Sequence, residues 1–262
     1  MTKAGWQVLK DARIPIASDL ILYVSASGND ATGDYTGKPF RQPQAAYDYA
    51  AANLDFRNVD LTIKMAGGSY GHFRHSQPIH GVQYLYLTGS GISQTGITSI
   101  EAHAQNFLLV SELTLQGNSN DIAGQIIGWS SAHIVLVGNV RFESPNPNTI
   151  ALLATDGGRV YSNGGSMSFE GGFRTLMAGL DGGNMNLRNC LFTLGLVHAA
   201  QEGTVFCNNL GKVLFENNNW VGGVAVGKKF TVTQGGLLFT GDAGASIPGA
   251  TPGVKDASGM VF

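Results

Sequence analysis

The chain is short of charge. Lys, Arg, Asp and Glu together make up 13% of its 262 residues, about half the usual share. Its net charge of −2 supplies no basic field, so nucleic acid is not an expected partner. Cysteine is scarce as well. Cys190 and Cys207 stand at no metal-binding spacing, and both are expected to be buried free thiols rather than a disulfide. Long apolar runs are missing. No stretch approaches the ~18 residues that a spanning helix needs, so membrane insertion is not expected. Met1-Thr2-Lys3-Ala4-Gly5-Trp6 leads into a mixed polar segment without an apolar signal core, which points to synthesis in a cytoplasm.

Glycine is abundant at 37 residues, beside 13 Phe and 8 Tyr. Short β-branched and aromatic runs alternate with Gly, Asn, Ser and Thr. That is the composition of an all-β protein with many tight turns and enough apolar bulk for a core.

A phrase repeats through the second half: Val140-Arg141-Phe142, Met167-Ser168-Phe169, Cys190-Leu191-Phe192, Val213-Leu214-Phe215 and Leu237-Leu238-Phe239. Its Phe residues are 27, 23, 23 and 24 apart. Upstream, the runs ending in Leu87 and Leu115 extend it to seven rungs. A fixed period of this size indicates stacked coils, and several turns inside each unit favour a solenoid over an antiparallel sandwich. Strand alternation then sets the facing. Val140, Met167, Cys190, Val213, Leu237 and the five Phe residues are expected inside. Leu191, Leu214 and Leu238 are expected to form an outward row. Such a row on solvent suits a subunit interface, cover by the terminal segments, or a bulge that shifts the register.

Residues 1–19, with Trp6, Val8, Leu9, Ile14 and Ile16, read as an extended segment that lies along a partner or over a sheet edge. Leu20–Val24 reads as a strand. Pro43 opens a helix to about Leu54, being suited to a first helical turn. Asp60–Met65 alternates as a second strand. Residues 20–70 thus form an opening unit, 71–241 the coils, and 242–262 a tail. Residues 241–254, rich in Gly, Pro and Ala, read as extended without helix or ladder.

Leu22-Tyr23-Val24 with Ser27-Gly28-Asn29-Asp30, then Pro39-Phe40 into Gln44-Ala45-Ala46, then Ile63 through Tyr70, resembles the start of right-handed parallel β-helices of the pectate-lyase-like class. The resemblance implies that the short helix caps the open end of the stack. Residues 222–232 together with the Gly/Pro tail resemble the closing segment of β-helical tail-fibre and tailspike proteins of bacteriophages. What this resemblance implies is a homotrimer on a virion tail, in contact with other phage tail proteins and attached to a host surface polysaccharide. No cofactor is implied.

The turn before each Phe strand carries the best candidate chemistry. Asp156-Gly157-Gly158, Asp181-Gly182-Gly183 and Glu202-Gly203 look like one turn repeated, with Trp129 at the corresponding place one coil earlier. Stacked coils would set these carboxylates ~5 Å apart. Paired carboxylates at that distance can divide acid and nucleophile roles in glycoside cleavage. Asp156, Asp181 and Glu202 are therefore the catalytic candidates of a polysaccharide depolymerase, the alternative to pure attachment. Turn chemistry accounts for the same residues, because Asp caps a turn and Gly takes positive φ. Trp129, Tyr84, Tyr86 and Trp220 are the candidates for stacking on a sugar face. Glu143, Glu170 and Glu216 read as a solvated acidic row, and the asparagines 208–209 and 217–219 as coil corners. His72, His75 and His80 lack a carboxylate or cysteine at a recognised spacing, so no metal site is expected.

Overall fold

The computed structural model describes residues 13–103, 107–117, 124–223, 225–241 and 247–262. Trp6, Val8, Leu9 and residues 242–246 of the tail lie outside them. The fold is all-β, a parallel β-solenoid of about seven turns with one short helix. Ten strands form sheet I: Leu20–Val24, Val59–Met65, Val82–Thr88, Phe107–Ser111, His133–Leu136, Arg159–Asn163, Asn184–Arg188, Lys212–Glu216, Leu237–Phe239 and Met260–Val261. Sheet II has 14 strands in two columns. The first column runs from Gly68–Tyr70 through Thr95–Ile97, Leu113–Leu115 and Asn139–Ser144. The second runs from Phe73–His75 through Ile100–Ala102, Ile126–Gly128 and Ile150–Ala154. The long strands Ser166–Leu180 and Leu191–Asn208 pass through both columns. One turn of the coil is therefore a sheet I strand, a corner, the two columns of sheet II, and a tight return turn.

Alternation along each strand places one side chain in two inside. In sheet I, Leu61, Leu85, Leu108, Ile134, Val160, Met185, Val213 and Leu238 are successive ladder partners, all buried. In the first column of sheet II, Tyr70, Ile97, Leu115, Phe142, Phe169 and Leu194 form the matching row. The rings of Phe142 and Phe169 stack at 5.0 Å and 12°. Each such burial contributes about 1.5–3 kcal/mol, so the rows hold the stack together.

The repeated phrase turns out to be two rulers. Its Phe142 and Phe169 copies lie in sheet II, but Phe215 and Phe239 lie in sheet I. Phe192 partners Met167, two places from the expected match with Phe169. Val213 pairs with Leu238, 25 residues on, whereas the phrase repeats after 24. A slip of one residue inverts facing. Leu238 therefore points into the core at 0% exposure, and Phe239 points out and stacks on Phe262 at 4.8 Å. The expected outward row of Leu191, Leu214 and Leu238 is thereby corrected. Leu191 is exposed on sheet II, Leu214 is half-buried on the outer face of sheet I, and Leu238 is core.

Helix α1 (Pro43–Asn53) covers the N-terminal end of the stack. Proline opens it, and Pro43, Ala46, Tyr47, Ala50 and Ala51 are buried. Tyr47 sets its ring edge-on to Phe73 and to His75, each at 5.5 Å, while its hydroxyl accepts from the Gln77 N–H at 2.9 Å. The Gln44 side chain bonds the Arg74 backbone as a strand neighbour would, accepting from its N–H at 2.7 Å. Ile14–Ile16 pairs with Leu54–Phe56 as a separate two-stranded sheet. At the other end the tail is extended, as expected, but it also joins the ladder. Thr251 bridges Lys228, Val254–Lys255 pairs with Phe230–Val232, and Met260–Val261 pairs with Leu237–Leu238. Asp256 ties its last bend, accepting from the N–H groups of Gln234, Ser258 and Gly259. These bonds, the Gln234 N–H first, hold its carboxyl down to about 2.

Candidate functional site

The return turns form a regular stack. In Thr155-Asp156-Gly157-Gly158 and Leu180-Asp181-Gly182-Gly183 both central residues have positive φ, and the fourth N–H donates to the first carbonyl at 2.8 and 2.7 Å. Trp129–Ala132, Asn208–Gly211 and Thr233–Gly236 repeat the geometry. Glycine at 158 and 183 is obligatory, since a Cβ there would lie 2.0–2.1 Å from a carbonyl oxygen of the previous coil. Asp156 Oδ2 accepts from the Ser130 hydroxyl at 3.0 Å, and Asp181 Oδ1 accepts from the Asn209 amide at 2.6 Å. The two acids thus hold equivalent places in neighbouring turns, and both act there as links between coils.

Glu202 does not belong to this stack. It lies within the strand Leu191–Asn208, and its carboxylate meets the Arg174 guanidinium at 3.1 Å. The spacing argument misplaces it because Phe215 follows its return turn directly in sheet I, while Phe142 and Phe169 come one corner later. Counting back equally from each overshoots the turn at Asn208–Gly211.

The two tryptophans are also committed elsewhere. Trp129 heads its turn and stacks on His103 at 5.8 Å and 6°. It leans on a small cluster outside the second column: Ile127, Ile150, Leu153, Ala178 and Phe206. Trp220 partners Phe192 in the ladder and packs on it at 4.3 Å, so it faces the core rather than solvent. The expected outward Trp220 is therefore corrected. The histidines disperse. His72 bonds Ser99, His80 bonds Asp55, and His75 is sealed under Tyr47. Among the described residues no three His, Cys, Asp or Glu side chains are grouped to hold a metal ion.

Tyr84 and Tyr86 lie on the outer face of sheet I and belong to a larger feature. Tyr84, Phe107 and His133 are successive ladder partners, and Tyr161 stands diagonally beyond. Ring centroids are 6.5 Å apart from Tyr86 to Tyr84, then 5.8 Å to Phe107, 4.8 Å to His133 and 6.0 Å to Tyr161. The file climbs four coils at the strand spacing of ~4.8 Å. Phe107 remains 38% exposed. Burial, then the charge of Arg159, pushes the His133 imidazole below its ordinary value, which favours the neutral ring. Beyond Tyr161 the surface dips into a hollow of about 250 Å³ lined by Val135, Tyr161, Ser162, Asn163, Asn186 and Arg188. Arg188 Nε donates to Asn186 at 3.0 Å and pairs with Glu216 at 3.0 Å, so the guanidinium is held in place. Aromatic faces followed by fixed amides and a guanidinium can stack on, and hydrogen-bond to, a polyhydroxylated chain. The sequence reading missed Phe107, His133 and Tyr161. Their signal was an aromatic ring in the outward slot of successive coils.

Comparison with protein-family models, with curated proteins and with solved structures finds no match to this chain.

Proposed function

We propose that the chain is a rigid attachment solenoid of a bacteriophage tail fibre or tailspike, which grips a host-surface polysaccharide along the outer face of sheet I. The aromatic file from Tyr86 to Tyr161 carries this reading. Its rings repeat at the coil step and lead into the hollow at Asn186 and Arg188. Turnover by Asp156 and Asp181 is the weaker reading, because both carboxylates are engaged in inter-coil bonds in exposed turns. Assembly into a homotrimer is part of the proposal. It rests on an apolar surface at the C-terminal end of sheet I, where Leu214, Phe239 and Phe262 line a hollow beside the exposed Met260.

The test is co-sedimentation with extracted capsule and lipopolysaccharide, with the supernatant scored for cleaved oligosaccharides by mass spectrometry. Phe107 exposes 38% of a side chain worth ~200 Å², so a sugar covering it removes ~75 Å² from water, about 2 kcal/mol. Phe107→Ala should weaken retention by up to about 30-fold. Retention unchanged in Tyr84→Ala/Phe107→Ala would exclude this face. Oligosaccharides released by the wild type but not by Asp156→Asn/Asp181→Asn would restore the enzyme reading.

A further inference from the structure

A second concavity lies on a different surface, the outer side of the first column of sheet II. It is a hollow of about 400 Å³, in the size range of small-ligand sites. Its floor is the outward row Ser69, Gly96, Thr114 and Arg141, which are ladder partners on successive coils. With no side chain at Gly96, the Gln116 amide lies across that part of the floor, its atoms 2.4–2.6 Å from where a Cβ would stand.

The rim opposite is the bend Ile92–Gln94, and it is tied down from both neighbouring coils. Thr114 donates its hydroxyl to the Ile92 carbonyl, and the Gly68 N–H donates to the Gln94 carbonyl at 2.8 Å. Arg141 is fixed too. Its Nη2 pairs with Glu143 at 2.8 Å and with Glu170 of the next coil. The Ile92–Gln94 rim and Arg141 therefore stand ready before anything binds, which lowers the ordering cost of a ligand.

The lining is hydroxyl, amide and peptide, with one guanidinium flanked by two carboxylates. That local balance is one negative charge, which disfavours an anion. Apolar lining is confined to Ile92, so a hydrophobic ligand gains little there. We infer that this hollow binds one neutral, polyhydroxylated ring, a hexose or N-acetylhexosamine, either free or at the end of a glycan. This goes beyond attachment along sheet I, with which it shares no residue.

The probes are glucose, galactose, mannose and N-acetylglucosamine, their methyl glycosides, a neutral hexasaccharide (maltohexaose) and glucuronate. Each is titrated into the full chain by calorimetry and ligand-observed NMR. The expected result is saturable binding of at least one neutral ring, weakened about tenfold or more in glucuronate's case. Affinity gained in the methyl glycoside and hexasaccharide arms identifies a chain end, and affinity highest for the free sugar identifies a monosaccharide. Gly96→Leu should abolish the binding while thermal stability holds, since the group it displaces is the mobile end of Gln116. Thr114→Val, which keeps the backbone and removes one hydroxyl, should weaken it. Tyr84→Ala/Phe107→Ala should leave it unchanged. No saturable binding by any neutral probe overturns the inference, as does binding intact in Gly96→Leu. Loss in the sheet I variant alone would assign all sugar binding to the aromatic file, sinking this inference and sparing the other.

Discussion

Leu238 and Phe239 offer a sharp test of the register, because the sequence phrase and the folded ladder assign them opposite faces. Leu238 is fully buried between Val213 and Val261, whereas Phe239 points outward and meets Phe262. Truncating a sealed leucine typically costs 2–5 kcal/mol, so Leu238→Ala should cost about 3 kcal/mol. Phe239→Ala gives up mainly one ring stack, about 1 kcal/mol. If the solenoid melts as a single unit, at ~2–4 °C per kcal/mol, the midpoints should fall by about 6–12 °C and 2–4 °C. Solenoid stability is a sum of neighbouring contacts, so the C-terminal coils should open first. Circular-dichroism melts would measure the midpoints, and limited proteolysis would locate the opening. Measured on the dissociated chain, a larger loss in Phe239→Ala or Leu237→Ala than in Leu238→Ala would refute the register.

Three further outcomes follow from the packing. His75 is buried, and burial, then the charge of His103, pushes it down from 6.5 to about 4. The folded protein keeps the ring neutral where the unfolded chain protonates it. Stability should therefore be full above pH ~6.5 and fall towards pH 4, by up to ~3 kcal/mol, and melts of His75→Phe across that range should be flatter. Burial also drives the Cys207 thiol up to about 12, so a thiol reagent at neutral pH should label it only after unfolding. Gly183→Ala should destabilise by more than ~2 kcal/mol, because its Cβ would collide with the Ala154 carbonyl, while Asp181→Asn, which tolerates the same positive φ, should shift urea unfolding by less than about 0.5 kcal/mol.

The solenoid itself was legible because inward slots recur at a nearly constant period, and α1 because proline and alanines mark it. The asparagine corners were legible in part: of residues 208–209 and 217–219, Asn209 and Asn217 take positive φ. Facing was less legible. Corner lengths vary by one or two residues, and each odd change inverts a strand, which is how Leu238 went to the wrong side. The acids at Asp156 and Asp181 were found through their turn signature, whereas Glu202 has the same neighbour, a glycine, without the turn. The aromatic file escaped notice for a related reason. Tyr84, Phe107, His133 and Tyr161 differ in type and are separated by 23, 26 and 28 residues, so no motif links them until the ladder aligns them.

Polysaccharide gripped along sheet I is the central claim, and ring signals report on it directly. Protein with ¹³C-labelled aromatic side chains is titrated with fragments of the polysaccharide that it retains. The account predicts shifts at Tyr84, Tyr86, Phe107 and Tyr161, with Trp129 and Trp220 unmoved. Shifts confined to the tryptophans, or to rings away from sheet I, would contradict it.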